Sequence, residues 1–98
     1  MLDKEAARQT VERHIRSLQT NLSLDLVILD EKTIETDFGW VFFWNSRQYV
    51  EGGTLSHALA GNAPFIVDRR DGTPHATTTG DPIETIIERY RSLHPVLS

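Results

Sequence analysis

One run limits what this chain can become: Gly39-Trp40-Val41-Phe42-Phe43-Trp44-Asn45-Ser46. Aromatic and β-branched residues in succession favour extended backbone. In a strand, alternate side chains point to opposite faces. Trp40, Phe42 and Trp44 then share one face, and Val41 and Phe43 share the other. A strand that is apolar on both faces is central and covered twice, or it leaves one face for a partner. The rest of the chain has to supply that cover.

Two amphipathic segments are available. From Asp3 to Gln19, Ala7, Val11, His14, Ile15 and Leu18 recur at helical spacing, and Leu22 extends the series. Asp3 suits the N-cap, and Glu12 and Arg16 are spaced for an i,i+4 pair. The second helix opens at Asp81-Pro82-Ile83-Glu84, a capping-box pattern with proline at the first helical position. Its apolar stripe is Ile83, Ile86, Ile87 and Tyr90, with Pro95 as the stop.

Between them lie further strand signals. Leu24–Asp30 alternates as a strand, and Glu31–Phe38 reads as a polar loop or irregular hairpin. Val50–Asn62 is bracketed by glycine turns around a short helical piece. Phe65–Asp68 is a strand, Arg69-Arg70-Asp71-Gly72 a hairpin turn, and Pro74–Thr78 a strand whose proline points to a sheet edge. The expected fold is α+β in the order α-β-β-β-β-α. It has an antiparallel sheet of about four strands, with both helices packed on one face. At 98 residues, the chain suits a single domain, residues 1–98.

The sequence offers little for bond-making chemistry. No cysteine is present, so disulfides, thiol nucleophiles and cysteine metal sites drop out. Ser56 lacks the glycines of a nucleophile elbow. His14, His57, His75 and His94 show no metal-ligand spacing, and no cofactor motif is found. His14 reads as a packing residue. His75 reads as a surface residue, with Asp68 as the carboxylate within reach. Catalysis would require His57 or His75 to meet a carboxylate in a cleft.

Charge gives a sharper signal. The formal net charge is −4, which disfavours a phosphate-backbone binder. The excess falls between residues 24 and 38, where Asp25, Asp30, Glu31, Glu35 and Asp37 face only Lys32. Such a patch suits steering of a basic partner. Asp30, Glu31, Glu35 and Asp37 are the expected steering residues, and Trp44 and Tyr49 the expected aromatic anchors. Reversing Glu35 and Asp37 is then expected to weaken binding with Tm nearly unchanged. No apolar run reaches the ~18 residues of a membrane span, and no signal peptide is visible, so the expected location is the cytoplasm.

Several stretches together resemble one known family. They are Gly39 to Ser46, then Leu59-Ala60-Gly61-Asn62-Ala63-Pro64-Phe65-Ile66-Val67-Asp68, then Gly80-Asp81-Pro82-Ile83-Glu84 and Tyr90. In that order they are similar to the immunity protein 35, or YrhB-like, family. The resemblance implies a small bacterial α+β protein that binds and neutralises a cognate protein toxin of a polymorphic toxin system. It implies stoichiometric binding with no catalytic residue, metal or cofactor. The alternative is a general chaperone-like binding module without a dedicated toxin. Nucleic acid and membrane are not expected partners, and monomer and homodimer both remain open, since the Pro74–Thr78 edge could pair across a two-fold axis.

Overall fold

The computed structural model describes residues 2–19, 25–47, 51, 63–78 and 80–94. Helix α1 spans Lys4–Gln19. The Oδ1 of Asp3 accepts the Ala6 N–H at 2.8 Å, the N-cap expected from the sequence. Ala7, Val11 and Ile15 form its buried stripe, and His14 packs edge-on against Phe65 at 4.9 Å between centroids. Arg8–Glu12 and Glu12–Arg16 pairs run along its outer side.

Six short strands follow: β1 (Leu26–Ile28), β2 (Ile34–Glu35), β3 (Gly39–Phe42), β4 (Trp44–Ser46), β5 (Phe65–Asp68) and β6 (Pro74–Ala76). Helix α2, Ile83–Leu93, comes after them. β1 and β4 pair as a two-stranded ribbon, and the other four form a sheet in the order β2-β3-β5-β6; every pairing is antiparallel. β6 is an edge, as its proline suggested.

The aromatic run is read as one strand in the sequence and is split into β3 and β4 at Phe43. Its partner strand explains the split. Ile28 lies opposite Trp44, yet Ile34 lies opposite Val41. The partner therefore carries three more residues than the aromatic strand over that interval. A 3-10 turn, Asp30–Lys32, takes up the excess. As a result Leu26 and Ile28 face one side of the fold and Ile34 faces the other.

Trp40, Phe42 and Trp44 pack with Ala7, Val11 and Ile15 of α1. Phe38, Val41 and Ile66 pack with Ile86 and Tyr90 of α2. Because Trp40 and Val41 point to opposite faces, the helices lie on opposite faces of the sheet. The expectation of two helices on one face is corrected here. The physical reason was already in the sequence: β3 is apolar on both sides, and a single helical layer leaves one side wet.

Two glycines have clear backbone roles. Gly72 closes the β5–β6 turn at φ +69°, in the left-handed region. A Cβ on Gly39 would sit 2.0 Å from the Val67 carbonyl oxygen, so β3 and β5 require a residue without a side chain there. At α2 the N-cap is Pro82, not Asp81, and no side chain caps the helix. Asp81 instead accepts from Arg89 at 3.1 Å. Tyr49, His57, the expected helical piece at 50–62 apart from Glu51, and the Gly61-Asn62 turn lie outside the described residues.

Candidate partner-binding surface

The acidic segment runs along the sheet edge formed by β2, from the 3-10 turn to the start of β3. Three of its carboxylates are held by arginines from three other elements. Arg8 of α1 grips Asp30 with a fork, Nε to Oδ1 at 2.7 Å and Nη2 to Oδ2 at 3.1 Å. Arg69, after β5, donates to Glu35 Oε2 at 2.9 Å and to the Thr36 carbonyl at 3.1 Å. Its guanidinium lies over the Trp40 ring, 4.5 Å from the centroid. Arg91 of α2 binds Asp37 through Nε and Nη2. Those hydrogen bonds hold the Asp37 carboxyl below its ordinary range.

This changes what the segment can do. The sequence suggested an open negative patch. In the fold, Arg8, Arg69 and Arg91 compensate Asp30, Glu35 and Asp37, which reach toward α1, the β5–β6 turn and α2 respectively. Counting charge along the chain misses these arginines because they lie 22, 34 and 54 positions away. Glu31 is exposed on the 3-10 turn and, among the described residues, makes no ion pair.

The two expected aromatic anchors are placed differently. Trp44 is only 8% exposed. It stacks on Phe65 at 5.9 Å and donates its indole N–H to the Ala63 carbonyl at 2.8 Å. That is a core residue, a correction to its expected exposure; the sheet face that carries Trp40 and Phe42 carries Trp44 with them. Tyr49 lies outside the described residues.

Sequence reasoning missed a second polar cluster, at the end of β5. Asp68 is 2% exposed. Its carboxylate accepts from Arg70 Nε at 2.8 Å and Nη2 at 2.6 Å, from the Arg70 N–H at 2.9 Å, and from the Tyr90 hydroxyl at 3.0 Å. These donors, the Arg70 guanidinium foremost, outweigh burial and lower its pKa to about 2. Burial first, and then the Asp68 contact, raise the Tyr90 pKa. The available signal was a carboxylate ending the apolar run Phe65-Ile66-Val67, in phase with buried Ile66. His75 meets Asp71 at 2.8 Å rather than Asp68, with the Tyr90 ring 5.6 Å away. Among the described residues, no group of three acidic or histidine side chains converges as a metal site would require. Nor, among them, is any helix long and apolar enough to cross a membrane.

The family described as Immunity protein 35 matches residues 5–92. The chain belongs to the immunity protein 35 family. The matched span contains the acidic segment, its three arginines and the Asp68–Tyr90 pair. The chain is also 40% identical over 52 residues to "Uncharacterized protein YrhB" of Escherichia coli strain K12, covering 53% of this chain and 55% of that protein. It thus spans about half the length of the curated relative it matches. No solved structure matches this member of the immunity protein 35 family.

Proposed function

We propose that the protein is a cytoplasmic bacterial immunity protein that neutralises one cognate toxin of a polymorphic toxin system through a stoichiometric complex. Membership of the immunity protein 35 family carries this reading. Its mode of action is occlusion, not catalysis: it needs a rigid scaffold and a complementary surface, and no bond is made or broken. The acidic segment supplies the surface. Glu31 is its open charge, the first to meet a cationic group on the toxin, while Asp30, Glu35 and Asp37 are fixed in place by their arginines. Fixing side chains before contact lowers the entropic cost of binding.

The test is capture on the tagged protein from its native lysate, a high-salt wash and mass spectrometry, followed by titration of the toxin found. One dominant partner in equal amount is expected. The Glu31→Lys variant should bind it at least ~10-fold more weakly, with Tm unchanged. Many weak partners, together with suppression of client aggregation on heating, would overturn this reading in favour of a general chaperone-like module.

A further inference from the structure

The acidic segment adjoins β2, one edge of the four-stranded sheet; the opposite edge, β6, borders a groove of about 280 Å³ against α2. The groove is floored by Ile66, Ile86 and Tyr90. Leu93, 70% exposed, stands on its rim as the one large apolar side chain so exposed among the described residues. No carboxylate lines it among them, whereas Arg89, His75 and His94 do. Arg89 gives one N–H to Asp81 and keeps the rest of its fork.

The backbone beside the groove is specific about what fits. The Arg69 N–H bonds to the Phe38 carbonyl, so odd-numbered residues of β5 direct their backbone groups toward β3. Ile66 therefore bonds with His75, its register partner in β6. Pro74 and Ala76 consequently turn their backbone groups away from the sheet. Pro74 has no N–H to lose, and Ala76 offers both a donor and an acceptor to the outside. An obligatory donor and acceptor on an open edge match another extended backbone.

We propose that this edge and groove form a second binding site, taking an extended segment of a partner protein as an added strand beside β6. Alternate side chains of that strand point toward α2. One of them is apolar and enters between Ile86, Tyr90 and Leu93. A carboxylate two residues away shares its face and takes the Arg89 N–H groups that Asp81 leaves open, at a groove whose described lining holds no carboxylate of its own. The occupant is thus an apolar and acidic β-segment, unlike the basic partner suited to the acidic segment at the other edge.

The probe is a blocked octapeptide that alternates leucine or valine with threonine and carries a glutamate two positions from a leucine. Titration into the full chain, followed by amide NMR, is expected to shift the Ala76 and Leu93 signals with submillimolar affinity. Methylating alternate peptide nitrogens on the edge-facing side, or exchanging the glutamate for lysine, should weaken binding at least 10-fold. Leu93→Glu should do the same, and so should Ala76→Pro, which removes an outward N–H and no sheet bond. Glu31→Lys should leave peptide binding unchanged, which separates this site from the proposed toxin surface. Equal binding of the methylated peptide, or shifts confined to other residues, would overturn the proposal. So would a dimer in sedimentation that Ala76→Pro dissociates, since the edge would then belong to a second copy.

Discussion

Arg91 reaches back across 54 positions to bind Asp37, donating to Oδ1 from Nε at 3.1 Å and from Nη2 at 2.9 Å. The contact ties the end of α2 to the turn before β3. Arg91 also pairs with Glu88 one turn earlier, which pre-sets its side chain. The acidic segment is therefore a fastening as well as a surface. Asp37→Ala and Arg91→Ala should each lower Tm by about 1–4 °C, and the double variant should fall by less than their sum. Thermal melts at low and high salt check this, since screening should shrink the effect. The Glu35→Lys/Asp37→Lys variant should melt earlier than the parent. The unchanged Tm expected from the sequence does not allow for Arg69 and Arg91.

Removing the Tyr90 hydroxyl isolates a different bond. Tyr90→Phe keeps the ring against Phe38, 4.7 Å between centroids, and deletes only the donor to Asp68. A hydrogen bond to a buried charge is worth about 1.5–3 kcal/mol. Urea unfolding should show a loss in that range with an unaltered m-value. A loss under ~0.5 kcal/mol would mean that Arg70 alone satisfies Asp68.

The same carboxylate sets an acid limit. Asp68 has its pKa lowered to about 2 from an ordinary 3.8. The unfolded chain therefore takes up a proton at higher pH than the folded one. The stabilisation is full above pH 3.8 and is lost as pH falls through about 2. It amounts to roughly 2 kcal/mol. Urea midpoints between pH 5 and pH 2 should fall steeply in the parent and less steeply in Asp68→Asn. Equal slopes would show that Asp68 is not the group involved.

The elements and the acidic segment were legible; their assembly was less so. Helical spacing found Ala7, Val11 and Ile15, and the Asp-Gly turn marked Gly72, because those signals are local. The face each helix covers depends on which strand it meets, and only the two-sided apolarity of β3 hinted at it. The three-residue slip at Asp30–Lys32 has no local signature, so β2 read as loop. Likewise, the charges of Asp30, Glu35 and Asp37 were visible, whereas their neutralisation by Arg8, Arg69 and Arg91 is a product of tertiary contact.

Gly39→Ala should be among the most damaging single changes. The added methyl would sit 2.0 Å from the Val67 carbonyl oxygen, a backbone atom that moves only with β5. A loss of more than ~3 kcal/mol is expected, with most of the chain unfolded at 37 °C. Circular dichroism melts would reveal it, and a near-native Tm would show that β3 and β5 can part at that point.

Trp44 separates a core role from a contact role. Trp44→Phe keeps a ring against Phe65 and loses the indole donor to Ala63, for about 1 kcal/mol. Trp44→Ala should cost about 3–5 kcal/mol. Denaturant unfolding measures both. Near-native stability of the alanine variant would place the indole outside the packed interior.

The two-faced sheet also makes the two helices unequal in what their loss would uncover. Val41 and Ile66 depend on α2, whose first residue, Ile83, follows the end of β5 by 15 positions, for their cover. α1 precedes every strand and covers its own face of the sheet, whereas the other face waits on a helix that comes after β5. Any chain in which α2 has come away is therefore half-clad, with Phe38, Val41 and Ile66 open to neighbouring molecules while the α1 face stays covered.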